Sequence, residues 1–89
     1  MEIKIYNVRY FANCWAFDGQ LVETLEVGEG RKVKAIIDFA VVDNYLQYYT
    51  IHSDVSDVKE ALFVDEYRDF VKKSEELVKK LKEILKIKN

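Results

Sequence analysis

The side chains best equipped for chemistry fall mostly in one stretch: His52, Asp54, Asp57, Asp65, Glu66 and Asp69 set one imidazole among five carboxylates. Oxygen ligands with an imidazole suit a divalent cation, and a cation so held activates water for hydrolysis. The same residue types serve plainer ends. Ser53, Asp54, Ser56 and Asp57 are all good helix N-caps, and acids early in a helix complement its dipole. Cys14 and His52 are the one thiol and the one imidazole, the pair needed for a nucleophile and its base. Cys14, however, stands between residues of strand character and beside alanines, where a small side chain serves packing. Gly28-Glu29-Gly30 leads into a strand pattern rather than a helix, so it lacks the helix N-terminus that binds phosphate. The expectation is no catalytic residue, no metal and no cofactor, with a metal-dependent hydrolase as the most distant reading.

Aromatic residues are the stronger signal. Phe11, Trp15 and Phe17 share one phase of a strand pattern, and Tyr45 and Tyr49 share another, with Arg9 and Lys34 as nearby cations. Aromatics displayed on a sheet stack unpaired bases. They are equally enriched in subunit interfaces and second core layers. The formal net charge of −2 weighs against phosphate recognition. The leading expectation is therefore a small non-enzymatic binding or assembly module acting as a homodimer, its partner otherwise unspecified. The alternative is a single-stranded nucleic-acid-binding protein that uses the aromatic sheet face.

The elements that must position these residues are legible from periodicity. Tyr67, Phe70, Val71, Ser74, Leu77, Val78, Leu81, Ile84 and Leu85 recur at intervals of three and four, which predicts one amphipathic helix over 65–87, with Asp65 as its cap. Twenty-three residues make a rod of about 35 Å, longer than a compact domain of this size is wide. Its last turns then overhang the sheet, and Ser74, Leu77, Leu81, Ile84 and Leu85 become a candidate dimer interface. Upstream, Asp18-Gly19 is the dipeptide of a two-residue hairpin turn, which predicts strands over 8–17 and 20–27 with Phe17 opposite Gln20. A bulge near Asn7 reconciles Ile3 and Ile5 with the opposite phase of Tyr6, Val8 and Tyr10. Gly28-Glu29-Gly30 is a second turn, and Val33, Ala35, Ile37, Phe39 and Val41 alternate cleanly. Asp43-Asn44 is a third turn, before a return strand over 45–51 that aligns Val41 with Leu46 and Phe39 with Tyr48. Residues 53–64 read as a connection, with a short helix or edge strand as a fifth element at 57–64.

The chain is thus expected to be a single α+β domain over 1–89: a four-stranded antiparallel meander in 1–52, packed by one long C-terminal helix. This order of elements resembles that of small dimeric single-stranded-DNA-binding transcription cofactors, a likeness of architecture that rests on no motif. The resemblance implies a dimer that presents its sheet. The composition is globular, 49% hydrophobic and 34% charged, with no proline. The apolar runs are too short to span a bilayer, and Met-Glu-Ile-Lys lacks the apolar core of a signal peptide, which points to a soluble cytoplasmic protein without membrane contact. One cysteine precludes an internal disulfide framework. Abundant Lys and Glu, with Gln only at 20 and 47, give a thermophile-like composition.

Overall fold

The structure, a computed structural model, describes residues 1–55 and 61–88. Four strands, β1 (Glu2–Phe11), β2 (Cys14–Val27), β3 (Arg31–Val42) and β4 (Tyr45–Ser53), pair antiparallel in sequence order, and one helix, α1 (Val64–Leu85), follows. The expected α+β class and meander are therefore present. Of the short element expected at 57–64, residues 57–60 lie outside the described residues; Leu62 is buried in the core, and Val64 already belongs to α1.

The first hairpin differs from expectation. Its turn is Ala12-Asn13, both left-handed (φ 50° and 61°), and Asp18-Gly19 runs through the middle of β2. Glycine is needed at 19 for a packing reason. A Cβ built there would lie 2.2 Å from Phe39 Cζ and 2.9 Å from the Lys4 carbonyl oxygen, because the ring of Phe39 covers the glycine from the neighbouring strand. Asp18 has its own task on the other face. It accepts a 2.8 Å hydrogen bond from Asn7 Nδ2 and lies 3.5 Å from the Arg9 guanidinium. Those contacts hold the bulge at Asn7 (φ 55°), where Tyr6 pairs with Asp18 but Arg9 with Ala16. The bulge itself is where the change of phase placed it.

The other two turns are as expected. Gly28 (φ 59°) and Gly30 (φ 107°) close the β2–β3 loop, and Asp43-Asn44 (φ 51° and 66°) closes β3–β4. Val41 aligns with Leu46 as expected, but a bulge at Gln47 then shifts the register, so Phe39 faces Tyr49 rather than Tyr48. That one residue moves Tyr49 and Ile51 onto the helix-covered face and Tyr48 onto the open one.

α1 packs on β2 and β3. Phe70, Ser74, Leu77, Val78 and Leu81 are buried against Leu21, Leu25, Val33, Ile37, Phe39 and Val41, with Tyr67 and Leu85 at the margin. Its cap is Phe63 rather than Asp65, which lies inside the first turn. Glu66 reaches back to accept the Phe63 backbone N–H at 3.0 Å, and the same oxygen meets Arg31 at 3.1 Å. The Gly28 N–H donates to Asp69, and the Lys73 ammonium to the Glu26 carbonyl, tying the first half of the helix to the β2–β3 loop. At the far end Lys86 turns left-handed, Ile87 N–H returns to the Lys82 carbonyl, and Lys88 N–H bonds Asn44 beside the β3–β4 turn.

The molecule measures 47 × 22 × 18 Å. Fourteen strand residues span about 46 Å and twenty-two helical ones about 33 Å, so the sheet sets the long axis. This reverses the expected overhang. The sheet extends beneath the whole helix, and Ser74, Leu77 and Leu81, expected to face a second chain, are covered by the chain's own strands. Leu85 is half-buried, and of the five only Ile84 is exposed.

Candidate partner-binding surface

Pairing registers give the sheet two faces of different character. On the face that carries α1 lie Ile3 and Ile5 of β1, then Gly19, Leu21, Leu25 and Val27 of β2, the odd-numbered β3 residues and Tyr49 and Ile51 of β4. On the open face lie rows that cross all four strands: Arg9, Ala16, Val42 and Tyr45; Tyr6, Asp18, Ala40 and Tyr48; Lys4, Gln20, Asp38 and Thr50; Glu2, Val22, Ile36 and His52.

The expected aromatic face is divided by these registers. Phe11 pairs with Cys14 and belongs to the open face, whereas Trp15 pairs with Tyr10 on the α1 side. Phe17 is half-buried at the core margin. Tyr45 is exposed, with the Lys88 ammonium 5.6 Å from its ring centre. Tyr49 is turned inward, and its hydroxyl donates to Glu75 at 2.8 Å. That hydrogen bond, with burial and the adjacent negative charge, raises the Tyr49 pKa above its usual 10.0. Lys34 sits on the open face at the opposite end of the sheet, and Arg9 is engaged with Asp18 and the Asn7 carbonyl.

In place of that face, the first hairpin forms a projecting apolar tip. Ala16–Val42 is the last β2–β3 pair, so Tyr10, Phe11, Cys14 and Trp15 extend past the end of β3. The Tyr10 and Trp15 rings meet at 5.0 Å between centroids, tilted by 60°. Trp15 is 61% exposed and Val8, Tyr10 and Phe11 at least half exposed; further down β1, Ile5 on the α1 face and Tyr6 on the open face are exposed as well. Sequence reasoning passed over Tyr6, Val8 and Tyr10 as parts of this surface. A turn at Ala12-Asn13 would have revealed it, and the signal was Asn13, a residue that tolerates the left-handed conformation.

The groups singled out for chemistry are dispersed. His52 Nε2 lies 2.5 Å from Asp38 Oδ2, and Gln20 donates to the other Asp38 oxygen at 2.9 Å. Burial pushes the Asp38 carboxyl up, but the His52 and Gln20 hydrogen bonds and the His52 charge outweigh it and leave the pKa below the usual 3.8. Cys14 is eight strand positions from His52, about 26 Å, so the thiol and imidazole are not brought together. Glu66 serves the helix cap and Asp69 the β2–β3 loop. Asp57 lies outside the described residues, and among those described no three His, Cys, Asp or Glu side chains converge on a point that would hold a metal ion. On the helix, Asp69 and Lys73 pair at 3.4 Å as their spacing predicts, whereas Glu75 takes Tyr49.

No described helix is long and apolar enough to cross a membrane. Comparison with protein-family models, with curated proteins and with solved structures finds no match to this chain.

Proposed function

We propose that this chain is a non-enzymatic binding module that works as a homodimer and offers the aromatic tip of its first hairpin to a protein partner. The observation that carries this reading is the concentration of exposed apolar side chains on β1 and the tip: Ile5, Tyr6, Val8, Tyr10, Phe11 and Trp15. Exposed apolar side chains gathered at one hairpin, on both faces of its tip, mark contact with another macromolecule, and aromatic residues dominate such contacts. The tip carries no cation of its own, and Arg9, the nearest, is committed to Asp18. Phosphate recognition therefore has little support there. The single-stranded nucleic-acid reading keeps one observation in its favour, the exposed Tyr6, Phe11, Tyr45 and Tyr48 on the open face.

Two measurements test the proposal. Sedimentation equilibrium should give a dimer mass at about 100 µM, where even a small interface is populated; a monomer there overturns the dimeric part. Trp15, the only tryptophan, reports on the tip. Its emission should ignore single-stranded oligonucleotides at every salt concentration. Salt-sensitive quenching by single strands but not duplexes overturns the protein-partner reading in favour of base stacking.

A further inference from the structure

The two edges of the sheet are treated differently. At β4, the backbone of Lys88 bridges Tyr45 and the bulge at Gln47 breaks the line of the strand. Such devices blunt an edge. On β1 the backbone is interrupted only in the second half, where the bulge at Asn7 breaks the strand and the Arg9 guanidinium takes the Asn7 carbonyl at 2.7 Å; the first half carries the exposed charges Glu2 and Lys4, which repel a mismatched strand and admit one of complementary charge. From Glu2 to Tyr6 the strand is regular and, among the described residues, pairs on one side only, with β2.

We infer that this straight half of β1 is the homodimer contact, pairing antiparallel with the same strand of a second copy about a two-fold axis through Ile3. The inference rests on the homodimer reading above and specifies its geometry. A two-fold pairing sets residues at equal distances from its centre opposite each other, so each choice of centre fixes every pair. Centred on Ile3, Glu2 meets Lys4 twice, Ile3 meets Ile3, and Met1 meets Ile5. Centred on Glu2 or Lys4, like charges meet on the axis. Centred on Ile5, Ile3 must pair with Asn7, inside the bulge. A centre between two residues sets Ile against Lys or Glu and breaks the alternation of faces. Only the Ile3 register joins opposite charges and stays on regular strand.

Both faces are consistent with it. Ile3 pairs with Leu21 on the α1 side, so an Ile3–Ile3 contact extends the existing apolar layer across the axis. Glu2 and Lys4 lie on the open face with exposed side chains, 3.7 Å apart within one chain, and are free to exchange partners. The product is a continuous eight-stranded sheet with both helices on one side and the two aromatic tips at opposite ends. The pairing takes Ile5, opposite Met1, out of the exposed set and leaves Val8, Tyr10, Phe11 and Trp15 at the tips uncovered for their partner.

Charge reversal tests the register. Glu2→Lys sets two lysines of each copy against two of the other, and Lys4→Glu sets glutamates against glutamates. Each variant alone should dimerise about tenfold more weakly, the combined effect of two reciprocal cross-strand pairs turned from attraction to repulsion. An equimolar mixture of the two should recover wild-type association, because every cross-axis pair is again opposite in sign. The double variant Glu2→Lys/Lys4→Glu should recover it as well. Single variants that dimerise like wild type, or a mixture no tighter than either alone, overturn the register while leaving the homodimer in place. A monomeric wild type removes both.

Discussion

Gly19→Ala is the substitution for which the structure makes the sharpest demand. The added Cβ would stand 2.2 and 2.6 Å from Cζ and Cε2 of Phe39 and 2.9 Å from the Lys4 carbonyl oxygen. Neither neighbour can yield easily. Phe39 is almost wholly buried between β2, β4 and the helix, and the Lys4 carbonyl belongs to the strand pairing of β1 with β2. Overpacking a core of this kind costs about 1–3 kcal/mol. An alanine also restricts the unfolded chain more than a glycine does, which returns about 0.5–1 kcal/mol. Because an approach of 2.2 Å to a buried ring calls for the upper half of the first range, a net loss of about 1–2.5 kcal/mol is expected, or roughly 4–20 °C in Tm for a domain of this size. Urea unfolding of Gly19→Ala and Phe39→Leu, singly and combined, measures it. Phe39→Leu shortens the ring that would clash, so the double variant should be less destabilised than the sum of the singles by about 0.5 kcal/mol or more. Strict additivity, or a neutral Gly19→Ala, would refute the packing of Phe39 on Gly19. A hairpin turn at Asp18-Gly19 would also make alanine costly at 19, but Phe39→Leu would not relieve that cost.

Two further outcomes follow from backbone and charge. Ala12 holds a left-handed conformation (φ 50°) with no side-chain group to compensate, so Ala12→Gly should stabilise the protein by about 1 kcal/mol in the same unfolding assay. Asp38 has its pKa lowered in the folded chain, so its contribution is fully present above its ordinary 3.8 and fades as pH falls through the lower folded value; the stability difference between wild type and Asp38→Asn should therefore shrink below pH 3.8.

The alternating run from Val33 to Val41, the stripe from Tyr67 to Leu85, and the turns at Gly28-Glu29-Gly30 and Asp43-Asn44 could be read directly. In each, one residue type has one common use. The failures arose where a residue had two. Asp-Gly is the strongest two-residue hairpin signal, yet here the aspartate anchors a bulge and the glycine makes room for a ring. Both reasons lie on neighbouring strands and leave no trace in local sequence. The true turn contains alanine, which pattern reasoning assigns to strand or helix before a left-handed position. The aromatic residues stand out in the sequence, but their division between faces depends on that turn and on the bulge at Gln47. One position of slip carries every later side chain to the opposite face.

The same slip bears on how the molecule associates. A hairpin turned at 18 and 19 gives short strands and a sheet too small for the helix, which then needs a second helix to cover Leu81. Turning at 12 and 13 lengthens β2 to fourteen residues and buries Leu81 within one chain. Exposed apolar side chains then remain at the start of the helix, at Phe63 and Val64, at Ile84 near its end, and along the first strand. Leu81→Glu, which on a helical interface would dissociate two folded chains, therefore places a charge in the core of one chain and should unfold it.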